Sequence, residues 1–468
     1  MASNKWTRRE LLQAGGAAMT LPLLVPAGAL GLGAQPGANE RVNVAIIGLG
    51  GRARDIAGTC RGTPGIQIVA VCDAFYPRCG AFVKDFAERA NWEAAAKWAT
   101  YDDFRQMLER EKLDGVMIET TTHARAWVTI HAMQAGKDVY IEKPMSLTIA
   151  EGRAMVRAAR KLGRVTQVGT QQRSMPINNW ASDLVKNGAI GKVHTVQAHN
   201  FCSPDPWTNQ PAQPKPEGGR GDWWDAWTNQ TEMRPYHPKL HYGWAQWWDY
   251  DGGGLCFGVT GWGTHAYDQV NRGLGTDETG PVEVVLEEAV KVMGTGRMVK
   301  KTVGDESTGG EYHAMAREIA GPRAKVSMTF AGGTKLNLHL DNDRGPVLGA
   351  IFIGEKGKID LNRNRLLTNP KDIALSKDNP GPNKKPETQY HIENWIECIK
   401  TRKRCNADIE YGQRSTTLCY LVNIVREVGR VGEALKWDPV AERFTNSDEG
   451  NKLLDRPRRK GYELPAVT

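Results

Sequence analysis

The sequence predicts a two-part fold. A doubly wound parallel α/β sheet occupies residues 39–170, and an α+β domain built on a large, mostly antiparallel sheet occupies 171–468. Three observations predict it. Apolar runs alternate with helical patterns from residue 41 to 170. Alternating strands with turn signals replace them further on. And 468 residues are too many for one core.

The runs RVNVAIIG (41–48), IQIVAVCD (66–73), KLDGVMIET (112–120), KDVYIEK (137–143) and RVTQVG (164–169) read as five strands buried on both faces. Between them, Phe104, Met107 and Leu108 recur at helical spacing, and Trp127–Ala135 reads as a helix ended by Gly136. In the second part a helix around Trp180–Lys186 precedes a strand at 194–201. Further strands are expected at 282–290, 325–332, 334–341, 349–355 and 357–362, with GEKGK (354–358) as a hairpin turn. Helices are expected at 391–402 and 413–429. The Pro/Gly/Trp-rich excursion 202–260 is far longer than an ordinary loop, which points to function.

The basic residues behind the formal charge of +8 are scattered, with no stripe that would track a phosphate backbone, so no nucleic-acid partner is expected. Residues 1–38 carry Arg8-Arg9 before Leu11-Leu12, then a weakly apolar stretch, then small residues. This has the form of a twin-arginine export signal, with cleavage after Ala29, Ala34 or Ala38 left open. Its proline and glycines argue against a spanning helix. The protein is therefore expected outside the cytoplasm, in the periplasm or its equivalent, meeting membrane only through the export machinery. The eight cysteines form no C-x-x-C pair; they read as structural thiols, and no metal site is expected.

Gly48-x-Gly50-x-x-Ala53 closes the first strand and opens a helix. The first glycine permits the tight turn, the second admits a pyrophosphate, and the third position packs helix on strand, as in a Rossmann-type sheet. The helix N-terminus favours the anionic phosphates. Asp73 ends the second strand, where its carboxylate can bind ribose hydroxyls and repel a 2′-phosphate. That favours NAD over NADP, although Arg78 keeps NADP open. Lys143 ends the fourth predicted strand, at the carboxyl edge where such sheets bind ligands, and can bind or protonate a substrate oxygen. His265, in TGWGTHAYD (260–268), is a candidate base, with Asp268 one turn on as a candidate substrate contact. Eight of the fifteen tryptophans fall between 207 and 262. Most read as packing or as subunit contacts. Trp262, and Tyr250 among them, are candidate substrate contacts, since an aromatic face can stack on a sugar ring.

These residues carry a resemblance. VAIIGLGGRA, Asp73, YDDF (101–104), THARAWVTIHAMQAGKDVYIEKP, VTQVGTQQR (165–173), LVKNGAIGKV, RPYHP, WWDY, IGEKGKI, HIENWIECI and LKWDP resemble the Gfo/Idh/MocA family, the relatives of glucose–fructose oxidoreductase and inositol dehydrogenase. The resemblance runs from residue 41 nearly to the end. It implies that Lys143 and His265 are catalytic, and that the Lys143–Pro144 bond is cis. It implies that Gly48, Gly50, Gly51, Arg52 and Asp73 bind cofactor, that Thr120, His123, Glu142 and Gln172 lie near it, and that Arg173 faces substrate. Two stretches depart from the family. Gly261 stands where it often has an aspartate, and Thr121 and Arg125 stand where it often has a proline and a second histidine.

The expectation is an exported NAD-dependent oxidoreductase with a tightly held cofactor, acting on a CH–OH group of a sugar, polyol or related carbohydrate and forming a homo-oligomer. Two alternatives remain open. One is an NAD-dependent glycosidase or lyase that oxidises its sugar transiently; the other is a non-catalytic sugar-binding relative.

Overall fold

The computed structural model describes residue 37 and residues 40–254, 257–293, 298–305, 310–317, 321–340 and 346–467. Apart from residue 37, the export signal read over 1–38 lies outside the described residues. Val42–Thr468 forms one compact unit.

Its first sheet has six parallel strands: β1 (Val42–Ile47), β2 (Ile66–Cys72), β3 (Ala99–Tyr101), β4 (Gly115–Ile118), β5 (Asp138–Ile141) and β6 (Thr166–Val168). They lie in the order β3-β2-β1-β4-β5-β6, with β1 and β4 adjacent at the centre. Alternation along each strand feeds two cores. Val44 and Ile46 of β1 point to one layer and Ala45 and Ile47 to the other. Three-residue β3 was not expected; it is too short to register as a run. The helix expected from Trp127 begins earlier, at Thr122 (Thr122–Gln134), so His123 and Arg125 are helical rather than in a loop.

One face of this sheet is closed from the far end of the chain. Ile392, Trp395 and Ile396 of helix Glu387–Thr401 share the core of Val44 and Ile46. His391 on that helix donates Nε2–H to the Val168 carbonyl at 2.8 Å and accepts at Nδ1 from the Ser174 hydroxyl at 2.6 Å.

The second sheet draws on β7 (Val193–His199), β8 (Pro281–Leu286), β13 (Val326–Phe330), β14 (Lys335–Leu340), β15 (Ala350–Gly354), β16 (Gly357–Asn362), β17 (Arg365–Asn369), β18 (Ala434–Asp438) and β19 (Arg443–Phe444). The short strands β9 (Lys291–Met293) and β12 (Gly321–Arg323) pair with each other, as do β10 (Met298–Asp305) and β11 (Gly310–Arg317). The nine strands lie in the order β17-β16-β15-β7-β14-β13-β8-β18-β19. Only β7 and β14 run parallel. Helices Pro176–Lys186, Trp262–Leu274 and Ile409–Val428 share one core with the strands. The strand expected at 282–290 ends at Leu286, where the acidic pair Glu287-Glu288 follows. Among the described residues, no helix is long and apolar enough to cross a membrane.

Candidate active site

The carboxyl ends of β1, β2, β4 and β5 open on a cavity of about 880 Å³. Gly48 turns the chain out of β1 with φ +89°, and a Cβ there would lie 2.7 Å from the Thr120 nitrogen. Only glycine fits so close to the end of β4. At Gly50 and Gly51 an added Cβ would meet nothing within 4 Å, so this turn faces open space at the start of helix Gly51–Arg61. The first-turn N–H groups of a helix have no intrahelical acceptor, which suits an anionic group in that space. Asp73 is fixed beside the turn. Its Oδ2 accepts from the Leu49 N–H and its Oδ1 from the Phe75 N–H, each at 2.9 Å. Burial raises its pKa, and Arg78, 3.8 Å away, counters this. Arg78 is also bonded to His241 Nε2 at 3.0 Å.

Glu119, at the end of β4, also lines the cavity, and neither of its carboxyl oxygens has a hydrogen-bond partner among the described residues. Burial, with Glu142 nearby, pushes its pKa well above the carboxylate range. A protonated acid in this place both donates and accepts, and its unspent bonding fits a polar ligand. The open glycine turn, the fixed Asp73 and the unsatisfied Glu119 together fit a dinucleotide.

Lys143 follows β5 and Glu142, and the Lys143–Pro144 bond is cis, as expected. Glu142 accepts from Arg52 Nε at 2.8 Å. Burial alone would raise the Glu142 pKa, but Arg52 and Lys143 outweigh it and hold the group as a carboxylate. The Lys143 ammonium donates to the Gly261 carbonyl at 3.1 Å. Burial lowers its pKa, opposed by Glu142 and Asp251. Arg125 donates Nη2–H to the Thr120 carbonyl at 2.7 Å and Nη1–H to the Thr122 hydroxyl at 3.0 Å and to the Pro144 carbonyl. It thereby clamps the ends of β4 and β5 together. Glu119, Arg125 and Asp251 line the same cavity, and sequence reasoning assigned none of them to the site. The glycine run 252–254 marks a close approach beside Asp251, the one signal that could have drawn attention to it.

One wall therefore joins Gly48, Gly50, Gly51, Arg52, Asp73, Thr120, Glu142 and Lys143. The remaining candidates lie off it. His265, on helix Trp262–Leu274, is 6% exposed, and its Nδ1 has no partner among the described residues. Burial first, then Arg363 and Lys143, drive its pKa well down, so the imidazole is neutral. His123 is not on the wall itself: it packs against Trp227 and Tyr250 and bonds the carbonyl of Trp227, a lining residue, at 2.8 Å. Gln172 donates to the Leu348 carbonyl at 2.7 Å. Arg173 and Asp268 also depart from the expected substrate role. They bond each other at 2.7 Å in full burial, with Asp277 on Arg173 and Ser415 on Asp268, so their charges are spent internally. Tyr250 is buried in the aromatic cluster, and Trp262 packs on Phe257 at 4.4 Å.

The excursion forms the facing wall. Trp223 lies 4.7 Å from Phe75, just past Asp73, and Trp223, Trp227 and Trp244 line the cavity. Helix Trp223–Thr228 is held by the C-terminal tail. Asp225 accepts from the Tyr462 hydroxyl at 2.6 Å and from Arg459, whose own N–H bonds the Gln230 carbonyl at 3.1 Å.

Fold and cavity together define a dinucleotide-binding α/β enzyme framework with a second, sheet-based domain. Comparison with known proteins places it further. Residues 42–170 match the Gfo/Idh/MocA profile described as "Oxidoreductase family, NAD-binding Rossmann fold", and residues 183–330 and 311–464 match its "C-terminal alpha/beta domain". The chain belongs to the Gfo/Idh/MocA oxidoreductase family. Glycosyl hydrolase family 109 protein 1 of Bacteroides fragilis is 30% identical over 175 residues, 36% of each chain. D-apiose dehydrogenase of Paraburkholderia graminis is 34% identical over 152 residues, 32% of this chain and 38% of that one. The matched stretches thus span under half the length of these curated relatives. The WlbA dehydrogenase of Bordetella pertussis, solved with NADH and UDP-GlcNAcA, shares the fold with a TM-score of 0.51 at 16% identity, over 83% of this chain and 98% of that one.

Proposed function

We propose that the protein is an NAD-dependent oxidoreductase acting on a CH–OH group of a sugar, polyol or related carbohydrate. One observation carries this reading: a single cavity joins the glycine turn and Asp73 to Lys143. A nicotinamide dinucleotide held there supplies hydride transfer. Gly48, Gly50, Gly51 and the first turn of the following helix hold its phosphates, and Asp73 holds the adenosine ribose. Arg78, already engaged by Asp73 and His241, is poorly free to meet a 2′-phosphate, which supports NAD. Lys143 binds the reacting hydroxyl, and its ammonium offsets negative charge developing on that oxygen. His265, within electrostatic reach of Lys143 and with Nδ1 unbonded among the described residues, is the second candidate to handle the proton, its lowered pKa making it a weak base until bound substrate or cofactor changes its surroundings.

The tryptophan wall, tied down by Arg459 and Tyr462, supports tight retention of the cofactor. This fits export in the folded state to a compartment where free dinucleotide is scarce. The relatives named glycosyl hydrolase family 109 favour a second reading, in which transient oxidation assists cleavage of a glycosidic bond and is then reversed. Incubating the purified protein with a panel of sugars, polyols and glycosides, with nicotinamide absorbance and products followed together, separates the two. The first reading predicts oxidised product, with the absorbance change limited to the bound cofactor unless a second substrate reoxidises it; bond cleavage without oxidised product supports the second, and no conversion of any kind contradicts both.

A further inference from the structure

Hydrogen bonds around the Lys143–Pro144 corner form one linked network. Asp251, fully buried, accepts from the Thr122 hydroxyl with one oxygen and from the Thr260 hydroxyl with the other. Thr122 in turn accepts from Arg125, which reaches the Pro144 carbonyl. On the other side Thr260 precedes Gly261, whose carbonyl accepts from Lys143. Gly261 offers Lys143 a carbonyl and no side chain.

A buried carboxylate is costly unless hydrogen bonds and opposite charge compensate it. Asp251 has two hydroxyl donors, and the cations that bear on it are Arg125 and Lys143. Among the described residues it makes no direct ion pair, so its charge is shared between these two rather than spent on one. Lys143 in turn is faced by the carboxylates of Glu142 and Asp251 and by the guanidiniums of Arg125 and Arg52, with the neutral imidazole of His265 in reach. Glu142 is already bonded to Arg52. That leaves Asp251 as the carboxylate not claimed by a direct cation.

We infer that Asp251 is the positioning residue of Lys143, holding the Lys143–Pro144 corner through Thr122–Arg125 on one side and Thr260–Gly261 on the other, and supplying the counter-charge of the ammonium. The inference rests on the reading of Lys143 as the residue that meets substrate. It also unites the two departures from the family pattern, since Arg125 and Gly261 belong to the same network.

Trace acetylation of the purified full-length protein with acetic anhydride, resolved by peptide mass mapping across pH, reads the protonation of each lysine without any substrate. In Asp251→Asn the labelling midpoint of Lys143 is expected to move to lower pH, while that of exposed Lys377 stays in place. Adding Gly261→Asp to that variant is expected to move the midpoint back up. An unchanged Lys143 midpoint in Asp251→Asn overturns the inference. Should that variant fail to fold, Thr260→Val is nearly isosteric and weakens the carboxylate's hold; the same downward direction is expected, and no movement is equally contradictory. The labelling does not depend on turnover, so it stands or falls separately from the proposed reaction.

Discussion

Replacing Lys143 with alanine is expected to lower turnover by about 10²–10⁴-fold, the range that a positioned proton-transfer group contributes. Bound dinucleotide should remain. The reason lies in the separation of roles along one cavity wall. Gly48, Gly50, Gly51 and Asp73 sit at the ends of β1 and β2, while Lys143 sits at the end of β5; its ammonium bonds the Gly261 carbonyl and its backbone N–H bonds Glu142. Alanine removes the ammonium and leaves the glycine turn and the Arg52–Glu142 pair in place. Turnover is measured on whichever carbohydrate the panel identifies, and nicotinamide content is measured after denaturation. A variant with undiminished turnover would remove Lys143 from the mechanism.

The second large effect concerns stability. Burial holds both His391 and His123 neutral, lowering each pKa to about 4. In the unfolded chain an imidazole takes up its proton as the pH falls below about 6.5. Between these values the unfolded state binds more protons, so the stability contributed by each neutral histidine is full above about 6.5 and is lost as the pH falls towards 4. Glu119 and Asp251, whose pKa values burial raises, act with the opposite sign, so the raw pH profile mixes the two. The comparison of wild type with His391→Gln isolates the histidine. The wild-type lead in urea midpoint is expected to shrink between pH 7 and 4.5, by an amount equivalent to at most about 3 kcal/mol. A difference that stays constant over that range would contradict the neutral, buried assignment.

Much of this architecture was legible because parallel strands buried on both faces leave continuous apolar runs. β1, β2, β4, β5 and β6 were found that way, and the glycine turn, Asp73 and Lys143 followed from their places at strand ends. Cooperative features were not legible. No local pattern announces that Trp395 closes the sheet begun by Val44, since tertiary packing alone brings them together. The family resemblance points Arg173 at substrate, and nothing in the local sequence around Asp268 shows that the two are partners. Their 95-residue separation hides a buried pair. Asp251 escaped notice for the same reason: its partners Thr122 and Thr260 come from two distant segments, and a lone carboxylate in WWDYDGGG carries no sign of them.

On this reading the cavity holds a nicotinamide dinucleotide as a working part of the protein. Denaturing the purified protein and quantifying released nucleotide by mass and absorbance tests that most directly. About one NAD per chain is the result predicted; protein that releases none, and takes up none when NAD is added, would contradict it.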